Sequence, residues 1–82
     1  NYNKFNMDFF NNKIKKYQEK KLDEILFKIQ FHQSTKKELK EKMDKLDHED
    51  LKLRKDILYH DQMAEIWIAN EKKLRKQMTE NQ

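Results

Sequence analysis

The 82-residue sequence contains no cysteine, no proline, no glycine and no valine. Without cysteine there is neither a disulfide scaffold nor a cysteine-ligated zinc. Without glycine there is no glycine-rich phosphate loop, and the tight primed turns of β-hairpins lose their usual residue. A β-sandwich or a doubly wound α/β fold needs many turns, whose building residues are scarce here. The missing valine thins the best strand formers. No stretch approaches the roughly 18 consecutive apolar residues of a membrane span. Ser34 is the only serine, and a solitary rod offers no concave pocket in which to tune a nucleophile, so no catalytic role is expected. What remains is helix.

Charge is abundant: 41% of residues are charged, with 19 Lys+Arg against 15 Asp+Glu, net +4. Phe, Tyr, Met, Ile, Asn and Lys supply 42 of the 82 residues, and Lys outnumbers Arg 17 to 2. An AT-rich coding sequence writes that bias, so the preference for Lys carries no functional weight. The sequence opens on Asn1 rather than Met, as expected of a processed product, an excised fragment or a partial chain. No secretory signal is visible, and an intracellular setting is the expectation. A chain this short buries a modest core, which makes association with something else the default.

A heptad organises the chain. Alternate steps of three and four from Leu22 land on Ile25, Ile29, His32, Lys36, Leu39, Met43, Leu46, Asp50, Leu53, Ile57, His60, Ala64, Trp67, Glu71, Leu74 and Met78. Twelve of these 17 positions are apolar, against 35% for the whole chain. A 3.5-residue repeat keeps one seam turned toward a neighbouring helix. Upstream the register slips, since Ile14 to Ile25 is an eleven-residue stutter, and Phe10, Ile14 and Tyr17 continue an apolar stripe. Five acid-before-base pairs at i, i+4 (Glu24/Lys28, Glu38/Lys42, Glu41/Lys45, Asp50/Arg54, Glu71/Arg75) add ~0.2–0.5 kcal/mol each to helix stability.

The expected fold is therefore all-α. The simplest form is one long amphipathic, coiled-coil-forming helix with its seam over Leu22–Met78, on the order of 85 Å long. The alternative is an antiparallel two-helix hairpin turning near 33–35 or 47–50. Thr35 with Glu38 makes a capping box at the first place, and Asp47 is a candidate N-cap at the second. Neither offers a glycine to close the preceding helix. Asn1, Asn3, Asn6, Asn11 and Asn12 favour caps and turns, which marks residues 1–12 as a frayed or separate segment ahead of a helical unit over 13–82.

Polar residues interrupt the seam at His32, Lys36, Asp50, His60 and Glu71. Such residues set register and partner choice at the expense of strength. Over Ile57–Ala69 the apolar residues Leu58, Tyr59, Met63, Ile66 and Ile68 spread beyond the seam, and Phe27 with Phe31 forms a similar outward pair. A helix apolar around most of its circumference needs more than one neighbour. Either the chain packs on itself, or it presents a docking surface with Trp67 as anchor; both bury Trp67.

Two basic clusters, Lys13, Lys15, Lys16, Lys20, Lys21 and then Lys72, Lys73, Arg75, Lys76, are possible polyanion contacts. A basic-zipper DNA reader would need an Arg/Asn-rich helix directly before the seam. That segment instead reads Lys21-Leu22-Asp23-Glu24-Ile25-Leu26-Phe27. Ile29-Gln30 opens a calmodulin-type motif only superficially, with Ser34 and Thr35 where its basic residue and glycine belong. Asp44/His48 and Asp56/His60 have ligand-compatible spacing but lack a third ligand, so neither metal nor cofactor is expected.

The sequence thus points to a non-enzymatic helical interaction protein, an accessory or scaffolding component of a larger assembly or self-assembly. Its partner-packing residues are Leu39, Met43, Leu46, Leu53, Ile57, Trp67 and Leu74. The alternative is a small basic helical adaptor or regulator for a polyanion such as RNA, DNA or an acidic protein surface.

Overall fold

The computed structural model describes the backbone of residues 3–80 and the side chains of residues 7–80. Two helices account for nearly all of it: α1, Asn3–Asp44, and α2, Leu51–Glu80. They pack against each other as an antiparallel hairpin measuring 73 × 14 × 14 Å. Among the described residues there is no strand.

The chain folds back at 45–50, the second of the two expected places, so the unbroken rod is not the form adopted. The physical reason lies in the caps. Lys45 and Leu46 donate backbone hydrogen bonds to the carbonyls of Lys42 and Met43, at 3.2 and 3.1 Å. These i→i−3 bonds tighten the last turn and satisfy its carbonyls. Among the described residues none takes a positive φ; the helix ends without the left-handed residue whose absence argued for continuity. The new helix starts at Asp50, not at Asp47. Asp50 Oδ1 accepts the Leu53 N–H at 3.0 Å while its carbonyl accepts the Arg54 N–H at 3.0 Å, the two bonds that define an N-cap. Asp50→Ala is expected to cost about 1 kcal/mol, read as a lower midpoint in urea with unchanged slope. No change would show that Asp50 is a bystander.

At 33–35 nothing breaks. Ser34 and Thr35 lie inside α1, where their poorer propensity costs a few tenths of a kcal/mol each. The flanking seam residues His32 and Lys36 hold bonds to α2 that a turn there would forfeit. The Asn-rich start behaves similarly. Residues 3–12, expected as a frayed or separate segment, continue α1 without a break, because extending an established helix is far cheaper than nucleating one. Residues 1–2 lie outside the described residues.

All 17 heptad positions are buried or half-buried. Ile25, Ile29 and Leu74 form a central cluster, joined by Leu22, Trp67 and Met78. The stripe closes on itself: its first half, on α1, packs against its second half, on α2.

Candidate functional site: the helix seam and its exposed flanks

Each polar seam residue has a partner, across the hairpin for His32, Lys36 and His60 and within its own segment for Asp50 and Glu71. His32 Nδ1 lies 2.8 Å from His60 Nδ1 across the seam, so one ring donates and the other accepts. Phe31 and Tyr59 stand edge-on to the pair, with ring centroids 5.0–6.1 Å from the imidazoles. One turn further, Lys36 Nζ donates to Asp61 Oδ1 at 2.7 Å. Asp50 caps α2, and Glu71 accepts from Arg75 Nε at 2.8 Å. The two cross-helix pairs, His32–His60 and Lys36–Asp61, fit only one register. A heptad slip would leave a buried imidazole and an ammonium facing aliphatic side chains.

Burial holds the pKa of His32 below its ordinary value, and the neighbouring His60 adds to the effect. Asp61 is lowered by the hydrogen bond from Lys36, then by the charge of Lys36. Of the five spaced ion pairs, Glu71–Arg75 forms. Arg54 takes Glu49 instead, at 2.7 Å, because the Asp50 carboxylate is committed to its cap. Lys28 lies over the Trp67 ring at 4.2 Å. Asp56 binds Lys52 and His48 binds Asp47. Among the described residues, no three His, Asp or Glu side chains converge to hold a metal.

Leu39, Met43, Leu46, Leu53, Ile57, Trp67 and Leu74 are all buried or half-buried, Leu46 in the turn and the others on the two helices, with Trp67 and Leu74 in the central cluster. Trp67 is half-buried against Ile25, Ile29 and Leu74, and its indole N–H is buried with no acceptor among the described residues. What the seam leaves outside is extensive. Phe27 is 71% exposed, Leu51 66%, Tyr59 53% and Ile66 52%. Phe31 and Leu58 are exposed too, the latter on a groove of about 410 Å³ lined also by Lys36, Lys40, Arg54, Ile57 and Asp61.

The cross-helix contacts set the register. His32 meets His60, Lys36 meets Asp61 and Lys28 meets Trp67, so Glu80 at the end of α2 falls opposite about residue 16. Two consequences follow that sequence spacing alone could not disclose. The basic clusters Lys13–Lys21 and Lys72–Arg75–Lys76, fifty residues apart in sequence, gather at the open end of the hairpin. Residues 3–24 and 69–80 carry ten basic and six acidic side chains, net +4, while residues 25–68 carry nine of each. The whole net charge of the protein sits at one end. In addition, the first dozen or so residues of α1 project roughly 18 Å past α2, with Met7, Phe9, Phe10 and Ile14 exposed along them and Tyr17 exposed at their base.

Comparison with known proteins matches the chain to no family model, no curated protein and no solved structure.

Proposed function

We propose that the protein is a non-enzymatic helical interaction module, a structural or accessory component of a larger assembly. One observation carries this. The hairpin uses its entire heptad seam internally, yet it still presents large apolar side chains on its outer surfaces, and among the described residues no side chain is fully buried. Phe27 and Phe31 lie one turn apart on α1; Tyr59 and Ile66 lie two turns apart on α2. Phe31 and Tyr59 both abut the histidine pair, so apolar surface from the two helices meets across the seam. Such a surface gains ~25 cal/mol for every Å² it covers, and contiguous exposed patches mark interaction sites.

In native extract the chain is expected to migrate well above its own 10.3 kDa. Phe27→Asp combined with Tyr59→Asp should release it as a folded monomer with an unchanged helical spectrum. A wild-type chain that already elutes as a free hairpin would refute the proposal.

The converging lysine clusters support a second reading, attraction of a polyanion to the open end. Its mark is salt: affinity for a polyanion that falls about tenfold between low and moderate ionic strength.

A further inference from the structure

We infer that the groove near the closed end of the hairpin is a docking site for a short acidic peptide segment of a partner protein. This deepens the interaction role proposed above and rests on it. The groove has a volume of about 410 Å³ and is lined by Lys36 and Lys40 of α1 and by Arg54, Ile57, Leu58 and Asp61 of α2. All six come from the interior of the sequence, on helical stretches joined directly by the turn at 45–50. Their order along the hairpin follows from the register set by His32–His60 and Lys36–Asp61. Lys40 falls about level with Arg54, nearest the turn. Ile57 and Leu58 come next, the first buried in the seam and the second 54% exposed. The Lys36–Asp61 pair, at 2.7 Å, closes the far end. Arg54 to Asp61 covers roughly 10 Å of helix, a length that three or four extended residues span.

Charge selects the occupant. Three cations and one carboxylate line the groove. Lys36 is committed to Asp61. Arg54 holds Glu49 at 2.7 Å, but both side chains of that pair are more than half exposed. An ion pair so exposed gains little and exchanges readily for another. Lys40 makes no ion pair among the described residues. A guanidinium offers five N–H donors and an ammonium three, so the end of the groove nearest the turn holds donors in excess of acceptors. A carboxylate between Lys40 and Arg54 answers both. Beside it, Leu58 over Ile57 makes an apolar shelf for a leucine or phenylalanine of the same segment. Nucleic acid brings no such side chain, and its phosphates would meet the Asp61 carboxylate at the far end. A second copy docked through a two-fold axis at the groove would set the same cations against themselves.

The test follows amide NMR shifts of the full chain on titration with capped hexapeptides. One has two Glu before a Leu-Phe pair, the next has Lys in place of Glu, and the last has Ala in place of Leu-Phe. The first is expected to bind at least about tenfold more tightly than either control, shifting amides around Lys40, Arg54 and Leu58. Lys40→Glu with Arg54→Glu should invert the preference toward the Lys peptide. Leu58→Ser should weaken the Glu peptide several-fold through lost apolar contact. All three positions are exposed, so thermal unfolding of the hairpin should stay as in wild type. Equal affinity for the Glu and Lys peptides, no binding of either, shifts confined to the Phe31 and Tyr59 side, or a preference that survives the charge swap overturns the inference. So does finding, when no peptide binds, that the charge swap abolishes self-association in sedimentation or binding to poly(U). If the groove variants leave the native complex intact and Phe27→Asp with Tyr59→Asp still dissolves it, the inference falls and the interaction role stands.

Discussion

Ile25→Asp is expected to unfold the hairpin outright. Ile25 is 4% exposed and lies in the cluster with Ile29 and Leu74, against Leu22, Trp67 and Met78. Truncating a buried isoleucine costs ~2–5 kcal/mol before any charge is added. A carboxylate at that position faces aliphatic side chains, and the desolvation of an unpaired charge adds several kcal/mol more. A domain of this size holds only about 4–12 kcal/mol in total. The loss therefore rivals the whole. Far-ultraviolet circular dichroism should show most of the helical signal gone at room temperature. Phe27→Asp, at a 71% exposed position, serves as the control and should remain within about 0.5 kcal/mol of wild type. If Ile25→Asp melts as a cooperative helix near the wild-type midpoint, the seam is not what holds the two helices together.

Acid is expected to weaken the hairpin through its centre. His32 is 7% exposed and meets His60 at 2.8 Å. Its folded pKa lies below the unfolded value of about 6.5 because burial and then His60 disfavour the proton. A depressed histidine pKa means that the unfolded chain binds the proton more readily. The stabilising contribution is thus complete above pH ~6.5 and fades as pH falls through that value toward the lowered folded one. The surroundings offer no rescue. Lys36 on α1 is a cation already engaged with Asp61, Lys28 lies over Trp67, and Asp56 on α2 is engaged by Lys52. Asp61, held low by the hydrogen bond and charge of Lys36, adds its own loss only as pH falls through the ordinary aspartate value of about 3.9 toward its lowered folded one.

The transition is expected to lie at a lower temperature at pH 5 than at pH 7.5. His32→Leu with His60→Leu should erase that difference and be as stable as wild type at neutral pH, since apolar replacement of a buried polar pair is often neutral or favourable. An identical acid shift in the double variant would place the titrating groups elsewhere.

The seam was legible in the sequence because a 3.5-residue period is a local property. Each of the 17 positions from Leu22 to Met78 is covered in the structure, including the five that are polar. The capping at the turn was only half legible. Asp47 and Asp50 are three residues apart and both suit an N-cap; what selects Asp50 is that its side chain reaches the Leu53 N–H once Leu53 is buried. The absence of glycine misled toward an unbroken rod, because a helix can also end in i→i−3 bonds that need no left-handed residue. Arg54 went to Glu49 rather than to the i, i+4 partner for the same reason: the cap had already claimed Asp50.

Sequence alone was enough to establish an all-helical chain with one apolar seam and five polar interruptions, because helix propensity and periodicity act between residues a few positions apart. Only the tertiary structure decided that the seam is folded against itself, that His32 meets His60 and Lys36 meets Asp61, and that α1 outruns α2. Those outcomes depend on which distant residues come together when the chain reverses. A seam of period 3.5 is equally satisfied by its own second half or by another chain, and it takes the caps at 45–50 and the polar pairs across the middle to choose. The same fold-back gathers both lysine clusters at one end beside the uncovered stripe of α1, which no local pattern records.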